Sequence, residues 1–219
     1  MDRRPAPAGR VPRKASKQVR TSTVARGIAA IALTVAGTMT LTVPASAAGS
    51  APSGSLGRLG ALTDLVVDRL RVGDDVAAAK FGTDSPIDDP AREEQVLAQV
   101  RTQAGALGLD PDAAAVFFRD QISASKVVQR GLFARWTAHP DEAPVTRPDL
   151  GQIRARLDRL TTELLAQLKA TVDVRARRIP CTAQLALAAG SAVVLDRLDE
   201  LHRQALGTAV HSVCPADPA

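Results

Sequence analysis

The sequence predicts an all-α domain, a bundle of about five to six helices behind a detachable leader. Three observations predict it. No run alternates apolar and polar residues as a strand would, and nearly every segment after residue 54 repeats its apolar residues at helical spacing. Asp89-Pro90 and Asp110-Pro111 stand where two such repeats begin, each an N-cap followed by proline at the first helical position. Residues 1–47 follow a different plan from the rest of the chain.

That first segment holds eight Lys/Arg and one acid, Asp2. Its basic stretch ends at Arg26, an apolar stretch runs from Gly27 to Val43, and Pro44-Ala45-Ser46-Ala47 supplies an Ala-x-Ala cleavage site. This is the layout of a secretory signal peptide, 1–47, followed by a small-residue spacer, 48–54, and a domain, 55–219. The apolar stretch is short and diluted for a spanning helix, although an uncleaved anchor is the competing reading. The Arg3-Arg4 pair lacks the apolar follow-up of a twin-arginine signal, which leaves the general secretory route. The expected location is extracytoplasmic, periplasmic or extracellular, with no stable membrane association after cleavage.

The helices follow in order. Helix one spans about 55–81, with Leu56, Leu59, Leu62, Leu65, Val66, Leu70 and Val76 on one stripe. A Gly/Ser/Pro loop, 82–88, leads to Asp89 and helix two, which Gly108 ends near Ala106. Helix three spans about 111–137, with Val116, Phe117, Ile122, Val128, Leu132 and Trp136 as core candidates. Residues 139–148 carry three Pro and form a loop. Asp149 caps helix four, where Ile153, Leu157, Leu160, Leu164 and Leu168 share a face. Pro180 interrupts the pattern, and one last helix, about 182–206, uses Leu187, Val194, Leu198 and Leu201.

Composition narrows the function. The net charge of +5 belongs to the leader, since residues 48–219 carry 20 basic and 22 acidic residues, so the basic balance is no sign of a nucleic-acid partner. Aromatics are 2% and Tyr is absent, which disfavours single-strand stacking platforms. Three scattered His and two Cys leave no tetrahedral zinc spacing. In an exported chain, Cys181 and Cys214 read as one disulfide closing a loop of about 33 residues; two free thiols are the alternative.

The chemistry-bearing residues are cationic and amide side chains. Arg69 and Lys80 lie 11 residues apart, close to three helical turns, so both leave one face of helix one; the nine residues from Arg71 to Lys80 rotate Arg71 away. Arg92 falls in the first turns of helix two and Arg154 in those of helix four. Ser125 and Gln129 form an i, i+4 pair, with Gln121 one turn earlier, making a polar stripe on helix three.

The string Arg69-Leu70, Val76-Ala77-Ala78-Ala79-Lys80-Phe81 and Pro86-Ile87-Asp88-Asp89-Pro90-Ala91-Arg92-Glu93 resembles the core signature of the helical chorismate mutases. The helix Phe117-Phe118-Arg119-Asp120-Gln121 to Ser125-Lys126-Val127-Val128-Gln129 is similar to that family's Ser/Thr-x-x-x-Gln/Glu helix. Leader, Trp136, Pro-rich loop, Arg154 and the C-terminal Cys pair resemble the exported subclass, over about residues 55–214. Phe81, where Trp is common, and the added charge of Lys126 are the departures.

The resemblance implies the Claisen rearrangement of chorismate to prephenate, a shikimate-pathway step, without metal or cofactor. It implies that Lys80 and Gln129 donate to the ether oxygen, and that Arg69, Arg92 and Arg154 bind carboxylates. Ser125 matches a hydroxyl that contacts a carboxylate, and Glu93 an acid that accepts from the ring hydroxyl. Asp89 matches a loop position whose backbone lines the site, and as the helix cap it has a second explanation. The subclass also implies a homodimer with each site inside one subunit. The competing functions are a catalytically silent exported binding module for small aromatic acids and an exported helical interaction protein.

Overall fold

The computed structural model describes residues 54–215; the leader of 1–47 and most of the spacer lie outside the described residues. Among these there is no strand. The helices are α1 (Gly60–Lys80), α2 (Pro90–Ala106), α3 (Pro111–Ala138), α4 (Leu150–Ala170), the single turn α5 (Val172–Arg175), α6 (Arg178–Leu195) and α7 (Glu200–Ala209), with a 3-10 turn at Pro140–Glu142. The expected caps start their helices. The carboxylate of Asp89 accepts from the N–H of Arg92, that of Asp110 from Asp112 and Ala113, and that of Asp149 from Gln152.

Helices α1 and α3 form the axis of the bundle. α1 packs on α3, α4 and α6, while α3 also carries α2 on one side and α7 on the other. Their shared core is Leu62, Val66, Leu70, Phe117, Phe118 and Val128, all at most 2% exposed. One glycine permits a close crossing: a Cβ on Gly131 would sit 2.5 Å from the Leu201 side chain, so α3 approaches α7 closely there, whereas a Cβ on Gly73 would meet Val128 at an ordinary 3.4 Å.

Four expectations are corrected. Helix one begins at Gly60, not Ser55. Ser55 N–H donates to both carboxylate oxygens of Asp64, and Gly57 adopts φ +80, so 55–59 turn back and Leu56 is exposed. The single last helix is two: Arg197 takes the left-handed φ of 52, and Asp199 caps α7 through His202 N–H. Pro180 does not break a helix. It lies in the first turn of α6, where a missing N–H leaves no bond unmade. Val116, Leu187 and Val194, taken as core, face outward.

The expected disulfide joins Cys181 to Cys214, with Cα atoms 5.7 Å apart and a sequence separation of 33. It fastens the start of α6 to the segment after α7, and a closed loop of that length stabilises by about 3–4 kcal/mol in the chain-entropy picture. By length and composition α6 would suffice to cross a membrane. One of its faces, however, is built into the domain: Cys181, Ala188 and Ala192 are buried, and Gln184 and Ser191 accept from the N–H groups of Arg58 and Leu56.

A His202 bridge joins α7 to α1. Its Nε2 lies 3.0 Å from Asp74 and its Nδ1 2.7 Å from Asp199. The hydrogen bond to Asp74 chiefly raises its pKa from 6.5 to about 9; burial opposes and Asp199 adds to the rise. A raised folded-state pKa gives a stabilisation that is complete below the unfolded value and lost as pH climbs through the folded one. Thermal melts of the native protein and a His202→Gln variant should therefore differ most below pH 6.5, and the gap should close as pH passes about 9. A gap that widens with pH would contradict this bridge.

Candidate active site

A cavity of about 270 Å³ opens between α1, α2, α3, α4 and the loop that joins α1 to α2. Every expected site residue lines it: Arg69, Lys80, Asp89, Arg92, Glu93, Ser125, Gln129 and Arg154. The 11-residue spacing on α1 does bring Arg69 and Lys80 to one face, while Arg71 turns away and pairs with Asp196 at 2.8 Å. Gln121 is not part of the stripe. Its Nε2 donates to Ala209 O on α7 at 2.7 Å, and it does not line the cavity.

Arg69 is the deepest charge. It is 7% exposed, and its guanidinium carbon lies 5.6 Å from the centroid of the Phe118 ring. Its nearest acceptors are Leu157 O at 3.4 Å and Thr161 Oγ1 at 3.5 Å, both long for charge-assisted bonds. Burial lowers its pKa to about 10, with Asp158 partly opposing, so the group is still charged at neutral pH.

Lys80, at the end of α1, donates to Pro86 O at 2.7 Å. Burial is the main cause that lowers its pKa; Asp89 raises it and Arg154 lowers it further. Asp89 has both explanations, since its side chain caps α2 and the residue lines the cavity. Glu93 Oε1 accepts from Asp89 N–H at 3.3 Å and lies 2.7 Å from Lys126 Nζ. Among the described residues, the Arg92 guanidinium donates to Gln95 Oε1 alone, at 3.4 Å.

On α3, Gln129 Nε2 donates to Ser125 Oγ at 3.1 Å and to Ser125 O at 3.2 Å, while its Oε1 is buried without a partner. Turning the amide end for end lets the Ser125 hydroxyl donate to Oε1 and releases the NH2 for a ligand, at the cost of the bond to Ser125 O. The orphaned oxygen thus marks a group with an unmet bond at the cavity wall.

Sequence reasoning did not single out Asp158 and Thr161, and it treated Lys126 only as an added charge. All three line the cavity. Asp158 and Thr161 follow Arg154 at i+4 and i+7 on α4, so a helical wheel places them on its face. Their meeting with Arg69 spans about 90 residues of sequence and has no local signal.

The balance of charge is cationic. Glu93 is taken by Lys126 and Asp89 by the α2 cap. Among the described residues, no carboxylate comes within ion-pair distance of Arg69, Lys80, Arg92 or Arg154. Four cations around one concave, partly apolar space suit an anion with more than one charge.

Comparison with known proteins points to one family. The family chorismate mutase type II matches residues 60–130. The chain is 36% identical over 161 residues to the secreted chorismate mutase of Mycobacterium tuberculosis, covering 74% of this chain and 80% of that protein. It superposes on the chorismate mutase of Burkholderia phymatum with a TM-score of 0.68 at 36% identity, covering 73% of this chain and 97% of that one. For the Burkholderia thailandensis chorismate mutase the TM-score is 0.66 at 40% identity, covering 70% and 96%.

An unpaired buried charge opposes folding, and an apolar residue of similar length removes that opposition. Arg69→Met should therefore melt at or above the temperature of the native protein when no ligand is present, and scanning calorimetry checks it. A Tm several degrees lower would mean that the guanidinium holds the fold together and is not a group kept for a ligand.

Proposed function

The chain belongs to the chorismate mutase type II family, and from that premise we propose that it is an exported chorismate mutase whose active site is the cationic cavity between α1 and α4. One observation carries the reading: Arg69, Lys80, Arg92 and Arg154 line one cavity, and among the described residues none has a carboxylate within ion-pair distance. Chorismate is a dianion that would supply the missing charge.

The reaction moves electrons around a six-membered array within one molecule. A C–O ether bond breaks, a C–C bond forms, and no atom or proton enters or leaves. The protein has to select the compact conformer and to stabilise charge that grows on the ether oxygen. In this reading Arg69, Arg92 and Arg154 hold the two carboxylates, with Ser125 as an added donor. Lys80 Nζ and the turned amide of Gln129 meet the ether oxygen. Lys80 has three N–H groups and gives one to Pro86 O, which leaves donors for a ligand. Glu93 has acceptor capacity beyond its bond to Lys126 for the ring hydroxyl, and the backbone at Asp89 closes the wall. A rate gain of ~10⁶ corresponds to about 8 kcal/mol, and two preorganised donors at roughly 3–4 kcal/mol each supply most of it.

Export rests on the leader of 1–47, which leaves a mature domain of 55–219 after a short spacer, and on the disulfide, which suits an oxidising compartment. The mature protein is soluble in this reading, because α6 is built into the bundle. We also propose a homodimer. Between Arg178 and Asp196 there is no charged residue, and Ile179, Leu187, Val194 and Leu195 stand exposed on α6, an apolar face of the kind that a second copy covers.

Two measurements test these statements. Residues 48–219, made in an oxidising compartment, should consume chorismate and give prephenate, identified by its acid conversion to phenylpyruvate. Lys80→Ala should abolish turnover with the helical circular dichroism intact; a Lys80→Ala protein that still turns over removes Lys80 from the site. A folded native protein that binds chorismate without converting it would instead be the silent binding module. By sedimentation equilibrium the native protein should be a dimer and Leu187→Glu with Val194→Glu a folded monomer. A native monomer at tens of micromolar refutes the dimer.

A further inference from the structure

The loop between Lys80 and Pro90 positions Lys80, and little holds it. Thr83 N–H and Oγ1 both donate to Lys80 O, and Ser85 N–H donates to Thr83 Oγ1, which fixes its start. Asp89 fixes its end by capping α2. Residues 86–88 between these anchors make no backbone-to-backbone hydrogen bond. They are tied by side chains alone: Lys80 Nζ to Pro86 O at 2.7 Å, and the carboxylate of Asp88 to α3.

The second tie is a cluster of four charges. Lys126 Nζ lies 3.0 Å from Asp88 Oδ1 and 2.7 Å from Glu93 Oε1, while one Arg130 nitrogen donates to both Asp88 oxygens at 2.9 and 2.8 Å. Lys126 is only 19% exposed. Asp88 itself does not line the cavity. It therefore acts on the reaction through its neighbours: through the loop, through Lys126, and through its charge on Lys80. Lys126 lies three residues before Gln129 on α3 and Arg130 one residue after it, so the clasp ties the Lys80 side of the cavity to the Gln129 side.

We propose that Asp88 is a positioning residue: held by Lys126 and Arg130, it fixes the loop so that Pro86 O sets the direction of the Lys80 ammonium relative to Gln129. The inference rests on the reading of this cavity as a chorismate mutase site. An exposed ion pair adds little stability, typically ~0–1 kcal/mol. Misplacing a reacting group by about 1 Å, in contrast, lowers rates by as much as ~10²-fold. The clasp should thus be visible in turnover and nearly invisible in melting temperature.

The experiment is steady-state kinetics with chorismate on the native domain, Lys80→Ala, Asp88→Asn, Arg130→Met and the Asp88→Asn/Arg130→Met double variant. Asp88→Asn should lower kcat about tenfold with KM within about twofold and Tm nearly unchanged. Arg130→Met should lower kcat less, because Lys126 still holds Asp88. Adding Arg130→Met to Asp88→Asn should lower kcat no further, since both act through one contact. An unchanged kcat in Asp88→Asn overturns the proposal. A raised KM at constant kcat overturns it too, and so does a loss that tracks a fall in Tm or fully additive losses. An active Lys80→Ala protein fails the reading of the site itself; an inactive one beside an unaffected Asp88→Asn fails the clasp alone.

Discussion

A guanidinium buried against a phenyl ring, with no anion to meet it, is the constraint around which this domain is arranged. Arg69 sits in the middle of α1, its neighbours Val66 and Leu70 are in the core, and the side chain has Phe118 of α3 on one side and Leu157 and Thr161 of α4 on another. Keeping a charge there requires three helices to hold a polar space open inside an apolar bundle. The other polar groups line that same space. Burial of Arg69 and of Lys80 shifts both pKa values downward, the direction expected where water has been removed and the nearby carboxylates, Asp158 for Arg69 and Asp89 for Lys80, offset the loss only in part. Such a site is unfavourable when empty and is relieved by an anion, which is how binding free energy is directed to orientation.

Much of this was legible because the site is built from local helical geometry. The Arg69–Lys80 spacing fixes a shared face of α1, the Ser125–Gln129 pair a shared face of α3, and the Asp-Pro caps the starts of α2 and α3 with Arg92 just inside one of them. Each of these is a statement about neighbours within four turns. What the sequence did not disclose depends on long-range meetings. Thr161 reaches Arg69 across 92 residues, and Lys126 reaches Glu93 across 33. Gln121 has the spacing of the polar stripe but finds its acceptor on α7, because the face of a helix with neighbours on two sides is not decided by periodicity. The same limit explains α6. Leu187 and Val194 have core chemistry and face outward, since hydrophobicity marks a surface to be covered without saying by what.

The break between α6 and α7 shows a different kind of limit. The run 182–206 has a continuous apolar period, yet Arg197 adopts a left-handed conformation and Asp199 starts a new helix. The cap was in the sequence as Asp199 followed by His202, but an Asx cap inside a periodic run competes with simple continuation. Tertiary contacts decide it. His202, once in α7, reaches Asp74 on α1, and Leu201 meets Gly131 on α3, contacts that a straight helix could not make together.

Those contacts give the C-terminal half a role in the chemistry that its distance from the cavity conceals. α3, which presents Ser125 and Gln129 to the cavity, is held by α7 and the segment after it: Gln121 bonds to Ala209 O, Gly131 admits Leu201, and Asp120 accepts from Ser212 N–H. The disulfide closes this backing two residues after Ser212 by tying Cys214 to the start of α6, which itself lies on α1. The two helices that carry Arg69, Lys80, Ser125 and Gln129 are therefore braced from behind by one covalently closed unit. That unit contributes no residue to the cavity wall. Its contribution is rigidity, and for the proposed rearrangement, which moves electrons within one molecule, rigid placement of donors is the part of catalysis left for a protein to supply.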